Sequence, residues 1–186
     1  MNIAFNSTRN GEHWTGYDLC QLKSIQLWRY IKALDYITPE DTVLDYGCGV
    51  GYGCSIMSHK AKAVVGYDQD EQAIALAERY WMRENTEYRS SPPTDKYNVI
   101  VLCEVLEHIE TPMTFIHYLK DNFCCLGTRL IVTVPHISRT LDKWHFRHYT
   151  DKTLANLLTG CNLMVLESNI YHQELRPVVF GLAEVT

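Results

Sequence analysis

The sequence predicts an α/β protein: a mostly parallel sheet of seven strands, helices on both faces, and an antiparallel hairpin at the carboxyl end. Three observations predict it. Short Val/Ile/Leu-rich runs alternate with stretches of helical periodicity, the pattern of a parallel sheet buried on both sides. Four glycines, Gly47, Gly49, Gly51 and Gly53, follow the first of these runs directly. The last two apolar runs are separated only by a short stretch ending in Arg176-Pro177, too short for anything but an antiparallel return.

The elements follow in order. Residues 1–13 are polar and read as a tail, one that can order on ligand binding. Leu19, Leu22, Ile25, Trp28, Ile31 and Leu34 recur every three residues, which predicts an amphipathic helix between Tyr17 and Ile37. Thr38-Pro39-Glu40-Asp41 ends it. Thr42–Tyr46 is the first strand, and a helix is expected after the glycines through Ser55–Ser58. Ala61–Tyr67 is the second strand. Asp70 is placed to cap a helix through Ala73, Ile74, Ala77 and Tyr80. Thr86–Arg89 is a weak third strand and Tyr97–Leu102 a strong fourth, with a helix expected from Glu104 to Leu119. Arg129–Val134 is the fifth strand, stopped by Pro135. Thr150 can cap a helix through Leu154 and Leu158 that Gly160 ends. Leu163–Ile170 and Val178–Val185 form the closing hairpin.

A chain of 186 residues is expected to form one domain, residues 1–186, with a tail and lid helix over 1–41 and a core over 42–186. Lys and Arg number 17 against 22 Asp and Glu, a net charge of −5, opposite to the balance that displaces counterions from phosphates. Bulk nucleic-acid binding is therefore not expected. The seven cysteines are odd in number, without CxxC spacing and mostly within apolar runs, which argues against a disulfide framework or a Cys-rich zinc site. The amino-terminal MNIAFNSTRNGEHW lacks the apolar run of a signal peptide, and no run reaches bilayer length. A cytoplasmic location without a membrane span is expected.

The glycine-rich segment VLDYGCGVGYG lies at a strand-to-helix turn, where the backbone must turn tightly and approach a ligand. It does not fit the dinucleotide fingerprint. Counted from Gly47, the third glycine should stand at Tyr52; counted from Gly49, at Cys54. A nucleoside without a pyrophosphate is the alternative. Asp68, at the end of the next strand, suits a ribose diol, because a carboxylate accepts two hydroxyl hydrogen bonds. Asp45, at the start of the loop, can face an ammonium group.

These residues carry a resemblance. VLDYGCGVGYG, VVGYDQD and VIVLCEVLEHIETP, in that order, resemble the class I S-adenosylmethionine-dependent methyltransferases, whose Rossmann-like sandwich also ends in an antiparallel hairpin. The resemblance implies that Gly47, Cys48, Gly49 and Gly51 approach the methionine and ribose of the cofactor. It places Asp45 near the amino-acid end, Asp68 at the ribose hydroxyls, Gln69 beside the adenine, and Glu104 facing the cofactor. Many relatives place an acid after the third strand. Here that region reads Arg89-Ser90-Ser91-Pro92-Pro93, so adenine contacts are expected from Ser90, Ser91 or backbone.

Glu104-x-x-Glu107-His108 marks a second constellation, at the carboxyl edge of the fourth strand. If a helix begins there, both acids and the imidazole share one face. His145, in Lys143-Trp144-His145-Phe146-Arg147-His148-Tyr149, follows the fifth strand and opens at the same edge. Two carboxylates and two imidazoles suit Mg²⁺, Mn²⁺, Fe²⁺ or Zn²⁺. The motif resembles that of the ubiquinone-biosynthesis O-methyltransferases and the small-RNA 2′-O-methyltransferases. In the RNA group the matching positions hold a divalent metal, which implies Glu104, Glu107, His108 and His145 here. Acids at a helix start are also favoured by the helix dipole alone.

Methyl transfer from a sulfonium needs the acceptor held in line, and a hydroxyl acceptor also needs its proton removed. A metal at that oxygen lowers its pKa; without one, His145 or His148 can act as general base. Trp14, Tyr17 and Trp144 are candidate walls of the acceptor pocket, and residues 13–17 a candidate lid. The sequence thus points to O-methylation of a small-molecule diol, phenol or sugar hydroxyl by a monomer or homodimer. The alternatives are an RNA ribose 2′-O-methyltransferase and a non-catalytic S-adenosylmethionine-binding partner subunit.

Overall fold

Seven strands form one sheet in the order β3-β2-β1-β4-β5-β7-β6. The structure, a computed structural model, describes residues 22–137, 143–173 and 176–186. In chain order the elements are α1 (Ser24–Leu34), β1 (Thr42–Tyr46), α2 (Tyr52–Met57), β2 (Ala63–Tyr67), α3 (Glu71–Trp81), β3 (Thr86–Arg89) and β4 (Tyr97–Cys103). There follow a 3₁₀ turn (Leu106–His108), α4 (Pro112–Phe123), β5 (Cys124–Pro135), α5 (Asp151–Gly160), β6 (Leu163–Gln173) and β7 (Arg176–Val185). Pairings among β1 to β5 are parallel, and β7 runs antiparallel to both β5 and β6. The expected tail, residues 13–17 and the start of the first helix lie outside the described residues.

The continuous apolar strands are explained by two cores, one on each face of the sheet. Successive strand residues point to opposite faces. Leu44, Ile100, Leu102, Leu130 and Val132 meet Phe115, Ile116 and Leu119 of α4 and Leu154 and Leu158 of α5. Their neighbours Val43, Val99, Val101 and Ile131 meet Tyr30 and Ala33 of α1, Ile56 and Met57 of α2, and Ile74, Ala77 and Trp81 of α3. Gly53 lets α1 and α2 touch: a Cβ there would stand 2.1 Å from the Tyr30 ring.

The caps fall where expected. Asp70 accepts from the amides of Gln72 and Ala73 at the start of α3, and Thr150 accepts from that of Thr153 at the start of α5. Among the described residues, no helix is long and apolar enough to cross a membrane.

One expected element is corrected. The segment from Glu104 to Leu119 is not a single helix. Glu104 has a left-handed backbone (φ 56°), a 3₁₀ turn covers Leu106–His108, and α4 begins only at Pro112. Proline disfavours helix in the residue before it, and its fixed φ and missing N–H suit the first helical position. Thr111 is therefore non-helical (φ −120°, ψ 73°) and the regular helix starts after it. β5 also begins earlier than Arg129, with Cys124 paired to Tyr97.

The chain runs outward from β1 to β3 and returns to β4 beside β1, so the topology reverses between β1 and β4. Open α/β sheets bind ligands at the carboxyl ends of the strands at such a point. Asp45 and Cys103 stand at these two strand ends, followed by the glycine loop and by Glu104.

Candidate functional site

The glycine loop is tied to the ends of β1 and β2. Gly47 N and Cys48 N both donate to Tyr67 O, at 2.7 and 3.0 Å. Gly49 N donates to Asp68 Oδ2 at 2.9 Å, and Asp70 N donates to Asp68 Oδ1 at 3.0 Å. Asp68 thus fixes the loop to the entry of α3 while remaining partly exposed. Gly49 has a left-handed backbone (φ +53°), and a Cβ built there would meet none of the described residues within 4 Å. Its open side is where a ligand can come against bare backbone. Gly51, also left-handed (φ +87°), starts α2, and a Cβ there would press on Ala77 and Tyr88.

Asp45 lies beneath the loop, fully buried. Cys54 Sγ donates to its Oδ2 at 3.4 Å, and among the described residues no donor meets Oδ1 within hydrogen-bond distance. Burial pushes this carboxyl up to about 7; hydrogen bonds from Cys54 and Tyr30 work against the rise, and the Asp68 charge adds to it. Gln69 and Ser90, candidates for the adenine end, are exposed, and Cys48 is buried.

The acids of the second constellation separate. Glu104 Oε2 pairs with Arg29 Nη2 at 2.8 Å, both side chains being largely buried. The left-handed backbone at Glu104 goes with this direction toward α1; such a conformation costs about 1–3 kcal/mol in a non-glycine residue and recurs at functional sites. Burial disfavours the charge on Arg29, but Glu104, Tyr52, Cys103 and Glu107 more than offset this, so its pKa is raised. Among the described residues, Arg29 Nε has no hydrogen-bond partner. The sequence reading missed Arg29. A signal existed: it stands four residues after Ile25 and four before Ala33, both buried on α1, so a cation was aimed inward.

Glu107, His108 and His145 come together, each offering a ligand atom within 4.8 Å of the others. Glu107 is fully buried in the 3₁₀ turn and the two histidines are half-buried. His108 Nε2 stands 4.0 Å from Glu107 Oε1, and the rings of His108 and His145 are 4.8 Å apart. The loop carrying His145 is pinned to the turn: Phe146 N donates to Glu107 O at 2.8 Å, and Tyr149 Oη donates to Leu106 O at 3.3 Å. His108 Nδ1 meets Trp144 O at 3.2 Å, and His145 Nδ1 meets His148 Nε2 at 2.8 Å. Of the four expected ligands, the fold gathers these three and turns Glu104 to Arg29. A buried carboxylate with two imidazoles is a donor set that fits Zn²⁺ or Fe²⁺ and suits Mg²⁺ poorly, since Mg²⁺ prefers oxygen.

A parallel sheet with an antiparallel terminal hairpin, a glycine loop and an acid at the next strand end define a class I S-adenosylmethionine-dependent methyltransferase domain. Residues 23–168 match a methyltransferase-domain family, and the chain belongs to that family. The ubiquinone biosynthesis O-methyltransferase of Salmonella enteritidis is 27% identical over 84 residues, which cover 40% of this chain and 35% of that protein. The tRNA U34 carboxymethyltransferase of Shewanella pealeana is 27% identical over 119 residues, covering 58% of this chain and 36% of that protein. The chain therefore spans about a third of the length of each. The magnesium protoporphyrin IX methyltransferase of Synechocystis, solved with bound S-adenosylhomocysteine, superposes with a TM-score of 0.69 at 16% identity, covering 91% of each chain.

Proposed function

We propose that this chain transfers a methyl group from S-adenosylmethionine to a hydroxyl of a small molecule, with a divalent ion held by Glu107, His108 and His145. The observation that carries the ion-assisted part is the convergence of these three side chains at the carboxyl edge, beside the reversal point of the sheet. When bound, the ion would lower the pKa of an acceptor hydroxyl and direct it.

The remaining roles fall to the chain's own groups. The backbone of Gly47, Cys48, Gly49 and Gly51 lines the cofactor, and the partly exposed Asp68 takes the ribose hydroxyls. Gln69 and Ser90 lie toward the adenine. Arg29 is the cation available to the methionine carboxylate, while Asp45 and Glu104 supply negative charge for the ammonium and sulfonium. In the transfer, the sulfonium–methyl bond breaks as the oxygen–methyl bond forms, and the sulfur leaves as a neutral thioether. With an ion holding His145, the hydroxyl proton would be given up to solvent; with none, His145 receives it. We read residues 42–186 as the cofactor-binding core, residues 1–41 as its cover, and the location as cytoplasmic.

The test is radiolabelled methyl transfer to catechols, simple phenols and sugars, before and after exhaustive chelation. Activity lost on chelation and restored by a divalent ion is expected; full activity after chelation would sink the metal assignment. A second reading has one observation in its favour: Lys143 and Arg147 flank His145 in sequence, two cations that suit an RNA acceptor. Transfer to short RNA in the same assay, with none to small hydroxyls, would favour it over the small-molecule reading. Transfer to any acceptor would exclude a non-catalytic subunit.

A further inference from the structure

We infer that His148 is a positioning residue that fixes the tautomer of His145, and so leaves Nε2 as the lone-pair nitrogen that His145 offers beside Glu107 and His108. The inference rests on the reading of Glu107, His108 and His145 as ion ligands, and it changes the role expected of His148 from general base to support.

The geometry is specific. An imidazole that binds a metal through one nitrogen must carry its proton on the other, and a neighbouring acceptor selects which. His145 Nδ1 lies 2.8 Å from His148 Nε2, with the rings at 62° and their centroids 5.0 Å apart. Two nitrogens at this distance share one proton, so one ring donates and the other accepts. If His145 donates from Nδ1, its Nε2 is left with a lone pair. His108 follows the same rule. Its Nδ1 lies 3.2 Å from the carbonyl oxygen of Trp144, which can only accept, so His108 carries its proton on Nδ1 and presents Nε2. That Nε2 is the atom 4.0 Å from Glu107 Oε1. Both ligand histidines are thus held from behind by one short loop, one through a backbone carbonyl and the other through His148.

His148 is itself well placed for this task. It directly precedes Tyr149, which is buried, donates to Leu106 O and pairs across the sheet edge with His136. Two residues before it, Phe146 N donates to Glu107 O, so the backbone is anchored on both sides of His148. A general base would instead need Nε2 open to the acceptor, and that nitrogen is the one engaged by His145.

The experiment uses the full chain and its His148→Ala, His148→Gln and Glu107→Ala variants. Zn²⁺ affinity is measured by competition with a chromogenic chelator. The tautomer of His145 in the metal-free protein is read from two-bond ¹H–¹⁵N imidazole correlations. The expected result is an Nδ1–H tautomer in the wild type and a mixed population in His148→Ala. Zn²⁺ binding should be roughly 10–100-fold weaker in His148→Ala, the usual effect of removing such a support. His148→Gln should recover most of the affinity, because its amide oxygen accepts from Nδ1–H. Wild-type affinity in His148→Ala, or an Nε2–H tautomer in the wild type, would overturn the inference, as would a Gln variant no better than Ala. If the wild type and Glu107→Ala bind Zn²⁺ equally poorly, the ion-binding reading itself fails and takes the inference with it. If Glu107→Ala abolishes binding while His148→Ala leaves it intact, only the inference fails.

Discussion

Arg29 Nη2 stands 2.8 Å from Glu104 Oε2, joining α1 to the residue that follows β4. The pair has two consequences. It turns Glu104 away from the group of Glu107, His108 and His145, and it sets a guanidinium against an acid expected to face the cofactor.

Arg29→Ala should weaken S-adenosylhomocysteine binding by roughly 10–100-fold, the worth of a charge-assisted hydrogen bond in a buried site. Calorimetric titration checks it. The same variant leaves Glu104 partly buried without its cation, which lowers the melting temperature. Adding Glu104→Gln should recover stability without recovering cofactor affinity. Unchanged affinity in Arg29→Ala would remove Arg29 from the cofactor site.

Glu104 and Glu107 should behave differently toward metal. Glu107→Gln is expected to lose divalent-ion binding, whereas Glu104→Gln should keep it within a few-fold and instead alter cofactor affinity. Equilibrium dialysis with Zn²⁺ reads the difference directly. Equal losses in the two variants would restore Glu104 to the ligand set.

Asp45 makes both stability and cofactor binding pH-dependent. Its folded pKa is raised to about 7 by burial, from an unfolded value of 3.8. The folded state therefore holds an extra proton between these values. The stability contributed by the protonated form is complete below the unfolded value and is lost as pH rises through about 7. In Asp45→Asn that loss should vanish, so its melting temperature gains on the wild type by several degrees from pH 5 to pH 8. Wild-type affinity for S-adenosylmethionine should rise over the same window, because the ionised carboxylate favours a cationic ligand. Parallel melting curves for the two proteins across pH would show that Asp45 does not titrate there.

Two glycines predict opposite outcomes. At Gly53 a Cβ would lie 2.1 Å from the Tyr30 ring, so Gly53→Ala overpacks the α1–α2 contact and costs about 1–3 kcal/mol. At Gly49 a Cβ meets none of the described residues within 4 Å, so Gly49→Ala is expected to carry mainly the left-handed backbone penalty, about 1–2 kcal/mol, and to act chiefly on cofactor binding. Denaturant titrations paired with cofactor titrations separate the two. Undiminished cofactor affinity in Gly49→Ala would show that this open side of the loop does not face the ligand.

Much of this was legible in the sequence because it depends on local pattern. The apolar runs at Val43-Leu44, Val99–Leu102 and Leu130–Val132 could only be strands buried on both faces. Asp70 and Thr150 act through side-chain-to-backbone bonds two or three residues away, so their caps could be read directly. The loop Gly47–Gly53 and the acid at Asp68 stood at the spacing of the family, and the fold carries them to one edge of the sheet.

The parts that were misread or missed depend on what lies across space. Nothing near Glu104 in sequence says that its backbone turns left-handed or that Arg29, 75 residues earlier, will meet it. Pro112 did signal a late helix start, and the regular spacing of Glu104, Glu107 and His108 hid it. The sequence by itself determined the layered α/β architecture, the methyltransferase family and the acids and imidazoles available to the site, because periodicity, caps and glycine turns are short-range. Only the tertiary structure decided which of those groups meet. It paired Glu104 with a helix cation, brought the buried Glu107 together with two imidazoles and set His148 against His145, because contacts between distant segments depend on how helices and loops pack on the sheet.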